Sequence, residues 1–346
     1  EYYPIEQFDN IASYQLSKEG WNAFYDPNDT KYQKLKQNIC DYLQSLHIRS
    51  SPKQIRVVQD ISQLFNFLGT IFSKPGICIE NPSKNNPILY QYGFKVFPVP
   101  LENDGMNLDI LEQHLKTLSI QYLHITPYLQ NPTGICYSTE KKSKLIELAY
   151  KYNVYIIVED SYSDLLLEPS VRSKFSWAHD RIIFVTNFSK IYLPTLSYSF
   201  VTLPRSLVEI IPDHYTYNFT DSLFDYYLAN GLWDKSSSYI IENCKQKYIK
   251  MLKLIDTYLS PYISYTNSLG GLYLWLTLNS SSLTVEKLCN ELLNKGVIVS
   301  PGSLFYINNK NNLPYLRISI ASATLEQLEK GIIIFSIILK KYHKTN

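Results

Sequence analysis

The sequence predicts an α/β fold with a mostly parallel sheet, followed by a smaller α+β domain. Of the 346 residues, 45% are hydrophobic and 18% are charged, which is enough apolar material for a large buried core. Short apolar strand patterns alternate with amphipathic helices, as is typical of a parallel sheet covered on both faces. After a long helical stretch over residues 239–258, the pattern changes to hairpin-like strands. We therefore predict a large domain over residues 46–240 and a small domain formed by residues 1–45 and 241–346.

The individual elements follow from the spacing of apolar side chains. Residues 31–46 carry them at steps of three and four, which predicts a helix, and residues 55–58 form a short strand pattern. Further strands of the large domain are predicted over residues 76–80, 94–98, 122–125, 154–158 and 181–185, and further helices over 62–72, 108–118 and after Ser138. The small domain is predicted to contain strands over 271–278, 296–299 and 315–320, a helix over 285–295 and a final helix from Thr324.

Composition excludes several classes of protein. The formal net charge is +2 and no run of five like charges occurs, so the chain has no nucleic-acid-binding footprint. Its five cysteines are widely spaced, without a C-x-x-C pair, which argues against a disulfide framework and against structural zinc. No apolar run is long enough to span a bilayer. We expect a soluble, cytoplasmic protein without a metal site.

Three polar residues follow three successive predicted strands. Asn131 lies in a Gln-Asn-Pro-Thr-Gly segment, Asp160 ends the strand over 154–158, and Lys190 follows the strand over 181–185. The carboxyl ends of parallel strands share one edge of a sheet, where ligand sites gather. A lysine in a shielded pocket can capture a carbonyl group, and a carboxylate can hold the nitrogen of a heteroaromatic ring protonated, as pyridoxal chemistry requires.

Two further side chains extend this candidate site. Tyr162 can donate a hydrogen bond to a ring hydroxyl, and Arg317, on a predicted strand of the small domain, can bind a substrate carboxylate in a bidentate manner. Taken singly, each residue has an ordinary alternative, namely a half-buried turn tyrosine and a surface arginine. Taken alone, a lysine that follows a strand, such as Lys190, is more often an ordinary surface residue. The combination in this chain order is what makes the pattern specific.

At these residues the chain resembles the fold-type I pyridoxal-phosphate (PLP) proteins of the class I/II aminotransferase family. The resemblance covers nearly the whole length and runs through Gly105, residues 131–134, Asp160, Tyr162, Ser189, Lys190, residues 270–272, residues 301–303, Phe305, Leu316 and Arg317. It implies a PLP-binding large domain with a mostly parallel seven-stranded sheet and a smaller α+β domain. It also implies a homodimer whose sites lie between the subunits.

The resemblance implies a role for each matching residue. Lys190 would form the Schiff base with PLP and act as the catalytic residue, and Asp160 would pair with the pyridine nitrogen. Asn131 and Tyr162 would bond the ring oxygen. Arg317 would hold the α-carboxylate of the substrate or effector.

Three more residues complete the implied cofactor contacts. Asn187 and Ser189 lie next to the lysine in the same segment. Tyr25, in a Phe-Tyr-Asp-Pro segment, would be the tyrosine that reaches the cofactor phosphate of the other subunit.

The phosphate-binding motifs depart from the family pattern. Ser197 stands where the family has an arginine that binds the phosphate, and Asp60 stands where a glycine normally opens the first helix of the phosphate cradle. Lys84 stands in place of an aromatic residue and could restore one positive charge. Losing a charge-assisted arginine contact costs roughly 1.5–3 kcal/mol, and Asp60 would repel a phosphate. We therefore expect weakened retention of PLP.

The resemblance leaves three functions open. One is a free-standing aminotransferase. Another is the effector-binding domain of MocR-type regulators in the GntR family, in which an aminotransferase-like domain follows an N-terminal winged helix and senses PLP or an amine bound to it. The third is a degenerate domain that no longer binds PLP and senses another ligand or only dimerises, as the substitutions at Asp60, Lys84 and Ser197 suggest.

We favour the regulator for three reasons. The chain begins at Glu1, close to the family's Tyr-Pro-Ile-Glu region, as a regulator domain without its winged helix would. The phosphate anchors are eroded, and the segment Asp160-Ser161-Tyr162 together with residues 186–190 resembles the regulator pattern. In this interpretation Lys190 holds PLP as an aldimine, and a small amine or amino acid bound at Arg317 closes the small domain on the large one. DNA would be contacted only through the winged helix, and weak or no transaminase activity is expected.

Overall fold

The computed structural model of the chain describes residues 5–25, 29–84, 88–187, 198–213, 215–279, 283–307 and 313–343. The helices of this part are α1 (Ile5–Glu19), α2 (Thr30–Ser45), α3 (Ile61–Ile71), α4 (Ile88–Gln91), α5 (Leu108–Thr117), α6 (Thr139–Tyr152), α7 (Ser170–Ser173), α8 (Arg205–Val208), α9 (Phe219–Ala229), α10 (Leu232–Tyr258), α11 (Val285–Leu293) and α12 (Leu325–His343). Within these described residues, none of the helices combines the length and the apolar character that crossing a membrane requires.

The strands of the described residues fall into two sheets. In chain order they are β1 (Ile55–Val58), β2 (Gly76–Asn81), β3 (Lys95–Glu102), β4 (Gly105–Met106), β5 (Tyr122–Ile125), β6 (Tyr155–Asp160), β7 (Ile182–Asn187), β8 (Ser199–Thr202), β9 (Ile263–Tyr265), β10 (Tyr273–Leu278), β11 (Ser300–Pro301) and β12 (Tyr315–Ser319). The first eight form the large sheet and the last four the small one.

The large sheet has the strand order β1-β8-β7-β6-β5-β2-β3-β4 in the described part of the chain. The five strands from β7 to β3 run parallel, whereas β8 pairs antiparallel with both β7 and β1. The two-residue β4 pairs antiparallel with the end of β3, which adds an eighth strand to the seven that were expected. The α/β class, with a large sheet and a smaller second one, is confirmed.

Both faces of the large sheet are covered, because successive side chains of a strand point to opposite faces. On β6, Ile156 and Val158 belong to one hydrophobic core, together with residues of α2, α5, α6 and α9. Ile157 belongs to a second core, together with residues of α3 and α8. All three side chains are fully buried, which is why β6 reads as a continuous apolar run in the sequence.

Helix α2 packs against the large sheet. Its apolar stripe, which includes Leu35, Ile39 and Leu43, is fully buried in the same core as Ile55 of β1. The assignment of residues 1–45 to the small domain remains a prediction. The observed contacts of α2 are with the core of the large sheet, because its apolar side chains face that core.

The small sheet is antiparallel, in the order β11-β12-β10-β9. A separate hydrophobic core joins it to α10, α11 and α12. The predicted strand over residues 296–299 is wrong, because pairing begins only at Ser300, which lies opposite Arg317. The chain leaves α11 through Gly296 at a positive φ of 78°, and the Ile298 side chain then points into solvent, 80% exposed. An apolar run can thus lie in a connection that makes no strand pairing.

Candidate functional site

A cavity of about 210 Å³ lies at the carboxyl edge of the parallel strands. Glu80 of β2, Glu159 of β6 and Asn187 of β7 line it, together with Thr126 just after β5. The N-terminus of α3 closes one side. The cavity therefore lies where an open parallel sheet places its ligands.

Three residues predicted for the site line this cavity together, namely Asn131, Tyr162 and Asn187. All three are at least nine-tenths buried. Asp60 and Lys84, the two departures from the family pattern that fall within the described residues, line it as well. Their positions agree with a phosphate end formed by α3 and the loop after β2.

The structure does not describe every residue predicted for the site. Ser189, Lys190 and Ser197 fall outside the described residues, so their predicted roles remain predictions. Tyr25 ends a short 3-10 helix and is 54% exposed, and the described cavity lining does not include it. Its expected contact with a second subunit therefore also remains a prediction.

The Asn131 loop is held by a buried network around Glu80. The Glu80 carboxylate accepts hydrogen bonds from the Thr126 amide at 2.9 Å, the Gln130 amide at 3.0 Å and the Tyr137 hydroxyl at 2.8 Å. Gln130 in turn accepts from the backbone N–H of Thr133 at 3.0 Å. Burial raises the pKa of Glu80 to about 7. This network fixes the loop from beneath.

Gly134 ends the same loop at a position that requires glycine. Its φ is +74°, and a Cβ there would lie 2.6 Å from the Ser268 hydroxyl. Ser268 donates to the carbonyl of Gly134 at 2.7 Å. Since Ser268 lies between β9 and β10 of the small sheet, this close contact joins the Asn131 loop to the small sheet.

Arg317 of β12 reaches from the small sheet to the Asn131 loop. Its Nη1 donates to the side-chain oxygen of Asn131 at 2.8 Å. The guanidinium lies over the rings of Tyr273 at 4.4 Å and Phe305 at 4.7 Å. Its Nε is buried and has no hydrogen-bond partner among the described residues. Burial lowers the pKa of Arg317, yet a guanidinium stays charged in proteins and can therefore pair with a carboxylate. The described cavity lining does not include Arg317.

Tyr162 contacts the small sheet as well. Its hydroxyl lies 3.4 Å from that of Tyr273, and the two rings pack edge to face with centroids 5.8 Å apart. Burial raises the pKa of Tyr162 well above its usual value. The phenol is therefore neutral at physiological pH and can donate a hydrogen bond to an oxygen on a ring.

Asp160 is buried at the end of β6, and the described cavity lining does not include it. Its Oδ1 accepts from the backbone N–H of Ser163 at 3.2 Å. Its Oδ2 lies 2.9 Å from Nη2 of Arg172, an ion pair without hydrogen-bond alignment, and no described residue donates to this oxygen. Burial raises the pKa of Asp160, and the charge of Arg172 opposes that rise.

At the end of the cavity where a PLP phosphate would be expected, the N-terminus of α3 is capped by a side chain of the protein itself. Asp60 is the N-cap of α3, and its carboxylate accepts from the backbone N–H of Ser62 at 2.7 Å and from the Ser62 hydroxyl. Lys84 lines the same cavity, and its backbone N–H donates to the carbonyl of Asn131 at 3.1 Å. The donors and acceptors at the ring end fit a PLP ring, because Asp160 Oδ2 and Arg317 Nε are buried without hydrogen bonds to the described residues. At the phosphate end, a carboxylate occupies the helix terminus that would bind an anion.

Sequence reasoning missed several polar residues of the site. Glu80, His124 and Glu159 lie near the carboxyl ends of apolar strands, and His124 Nε2 lies 3.2 Å from Glu159 Oε2 in the cavity wall. A polar residue inside an apolar strand pattern was the available signal. Arg172 gave no such signal, because it lies on the short helix α7, outside the strand pattern.

The fold and the site together define the fold-type I architecture of PLP-dependent aminotransferases. An archaeal alanine:glyoxylate aminotransferase superposes with a TM-score of 0.87 over 99% of this chain and 88% of its own, at 24% identity. LysN, an α-aminoadipate aminotransferase from Thermus thermophilus solved in complex with N-(5'-phosphopyridoxyl)-L-leucine, superposes with a TM-score of 0.84 over 100% of this chain and 91% of its own, at 22% identity.

The family profile described as aminotransferase class I and II matches residues 10–333, so the chain belongs to this family. Its relatives include both enzymes and regulators. Aromatic-amino-acid aminotransferase 1 of Thermococcus litoralis is 24% identical over 96% of this chain and 84% of its own length. YisV, an uncharacterized HTH-type transcriptional regulator of Bacillus subtilis, is also 24% identical, over 86% of this chain and 63% of its own length.

Proposed function

We propose that this chain is the PLP-dependent effector-binding and dimerisation domain of a MocR-type transcriptional regulator. The observation that carries the proposal is the Asp60 carboxylate, which caps α3 at the end of the cavity where the phosphate would bind. An enzyme must retain its cofactor through many turnovers, whereas a sensor requires a ligand that exchanges. A negative charge at the phosphate end favours exchange.

The ring end supports PLP as the ligand. Asp160 offers Oδ2 to a ring nitrogen, and the side chains of Asn131 and Tyr162 lie in the cavity wall. When bound, PLP supplies an electron-withdrawing ring that stabilises negative charge on the carbon next to an attached nitrogen. Lys190 is proposed as its covalent anchor because it follows β7 in the sequence.

Arg317 supports an amino acid or another carboxylate-bearing amine as the effector. It projects from the small sheet and bonds Asn131 of the large domain, so a carboxylate that binds its free Nε changes a contact between the two sheets. A ligand shifts a conformational equilibrium only if it binds one state more tightly. Contacts from both sheets to one ligand provide that difference, and the resulting closure would be relayed to a DNA-binding domain outside this chain.

An exposed aromatic surface supports the homodimer. Trp21, Phe24 and Tyr25 are 80%, 44% and 54% exposed, and the Phe24 ring stacks on Phe219 at 5.1 Å. Adjacent exposed aromatic side chains of this kind mark interaction surfaces. We expect sedimentation equilibrium at micromolar concentration to give the mass of two chains, and a stable monomer would contradict this part of the proposal.

A free-standing aminotransferase is the second candidate. It is favoured by the presence of Asp160, Asn131, Tyr162 and Arg317 together, and by relatives such as the aromatic-amino-acid aminotransferase. A third candidate is a domain that has lost PLP and senses another ligand or only dimerises, which Asp60 in the cavity wall favours.

Titration with PLP tests these candidates. We expect a visible absorption band that saturates in the wild-type protein, is lost in Lys190→Ala and is retained in Lys174→Ala, a matched control at an exposed lysine. Added amino acids should then shift the band without forming a keto acid.

Two results would contradict the proposal. Catalytic formation of keto acid would favour the aminotransferase. Absence of any band at saturating PLP would favour the domain that has lost PLP.

A further inference from the structure

Arg172 joins two carboxylates behind the cavity. Its Nη2 lies 2.9 Å from Oδ2 of Asp160, and its Nη1 donates to Oδ1 of Asp164 at 2.8 Å. The side chains of Arg172 and Asp160 are 14% and 1% exposed, so this ion pair lies largely outside solvent. One end of the guanidinium therefore pairs with the buried Asp160, and the other end pairs with the more exposed Asp164.

Arg172 is the permanent positive charge next to Asp160. The other titratable groups whose charges act on Asp160 or respond to it are Asp164, Tyr128, Cys136 and Lys142. Lys142 of α6 is fully buried over the Tyr128 ring at 4.3 Å, and burial lowers its pKa to about 8. Lys142 can therefore lose its proton near physiological pH, whereas a guanidinium cannot.

The Oδ2 atom of Asp160 has one described partner, the Arg172 guanidinium. Oδ2 faces Arg172 and is also the oxygen without a hydrogen bond from any described residue. A positive charge within about 4–6 Å lowers the proton affinity of every neighbouring group. It keeps a buried carboxylate ionised, and it also disfavours a proton on a ring nitrogen bound to that carboxylate.

We propose that Arg172 is a positioning residue for Asp160, which keeps this carboxylate ionised and withdraws part of its charge from the nitrogen of a bound PLP ring. The inference rests on the proposed function, since PLP presents that nitrogen. It deepens the proposal, because a less protonated ring is a weaker electron sink, as suits a domain that senses its ligand and turns it over slowly or not at all.

The first test uses the cofactor-free protein. Carbon-13 NMR of labelled aspartate, with the Asp160 signal assigned through Asp160→Asn, follows the titration of this carboxyl group. We expect Arg172→Gln to raise the pKa of Asp160 by about one unit or more, and Arg172→Lys to keep most of the wild-type value. Asp164→Asn removes a negative charge and should shift the pKa in the opposite direction.

Matched variants keep this test decisive. Arg181→Gln removes an arginine that lies over the Tyr155 ring instead of pairing with Asp160, and it should leave the titration unchanged. If Arg172→Gln does not fold, Arg172→Lys should still keep most of the wild-type pKa of Asp160, and Asp164→Asn should lower it. An unchanged Asp160 titration in the folded variants would overturn the inference.

The second test uses PLP labelled with nitrogen-15 in the ring. In Arg172→Gln, the pKa of the ring nitrogen should be about one unit higher than in the wild type. If PLP binds to both proteins and its ring nitrogen titrates alike in them, the claim that Arg172 withdraws charge from the ring is overturned. Failure of PLP to bind even the wild type would overturn the proposed function, while the cofactor-free test would still decide whether Arg172 controls Asp160.

Discussion

The two ends of the candidate cavity differ in how their polar groups are engaged. At the ring end, Asp160 Oδ2 is ion-paired with Arg172 and Arg317 Nε is buried, and neither atom has a hydrogen bond to the described residues. At the phosphate end, the backbone N–H of Ser62 at the start of α3 is already bonded to Asp60. The ring end depends on strand ends and the phosphate end on a helix terminus. If the proposed function is correct, the ring end would keep its recognition of a ring and a carboxylate, while Asp60 weakens the anchoring of the phosphate.

The largest expected effect concerns Glu80, which supports the ring end. Burial raises its pKa from 4.5 to about 7 in the folded protein, so the folded state binds more protons than the unfolded state between these values. The free energy of unfolding must then fall as the pH rises through this window, by up to about 3 kcal/mol. Urea unfolding at about pH 5 and about pH 7.5 measures the loss.

The glutamine of Glu80→Gln cannot titrate. The free energy of unfolding of this variant should therefore lack the part of its pH dependence that comes from Glu80. Glu147→Gln, at an exposed carboxylate on α6, is the matched control and should keep the wild-type slope. Equal slopes in Glu80→Gln and the wild type would show that the pKa of Glu80 is not raised.

The second effect tests recognition of a carboxylate at the ring end. Arg317→Leu should weaken binding of an amino acid to the PLP-loaded protein by about thirtyfold, which is the loss of a hydrogen bond to a charged group, about 2 kcal/mol. Calorimetry with the amino acid and with the corresponding amine, which has no carboxylate, separates the contribution of the carboxylate to binding from that of the rest of the ligand. The amine should bind both proteins alike, and an equal loss for both ligands would mean that Arg317 acts on the site as a whole.

The third effect reverses the change at the phosphate end. Asp60→Ser keeps an N-cap for α3 and removes the charge, so we expect PLP to bind about tenfold more tightly. Fluorescence titration with PLP measures this affinity. Asp109→Asn, in the first turn of α5 and exposed, is the control. Unchanged or weaker binding in Asp60→Ser would contradict the idea that this carboxylate repels the phosphate.

The smallest effect concerns Lys84, the exposed cation in the cavity wall. Lys84→Ala should weaken PLP binding about two- to fivefold at low salt, the range of an exposed ion pair, and less at high salt. Lys53→Ala removes an exposed lysine that does not line this cavity and should have no effect. A loss that is independent of salt would mean that Lys84 acts through packing.

The sequence predicted several strands of the large sheet well, because their apolar runs are buried on both faces. The predicted strands over 55–58 and 122–125 match β1 and β5. The rule that parallel strands share a carboxyl edge predicted the edge at which the cavity lies, and Asn131 lines that cavity whereas the described lining does not include Asp160. The short strand β8 was missed because it follows the Lys190 segment without an intervening helix pattern, and the strand over 296–299 was wrong because an apolar pattern does not reveal its pairing partner.

The sequence by itself determined the fold class, the family resemblance and the residue types available at the strand ends, because these depend on local periodicity and short motifs. Only the tertiary structure decided which of those groups meet. Arg317 bonds Asn131 from another sheet, and Arg172 pairs with Asp160 from a short helix. Such contacts depend on the relative placement of elements far apart in the chain, and a local pattern carries no information about that placement. The charge and hydrogen-bonding state of the candidate site is therefore a property of the folded protein.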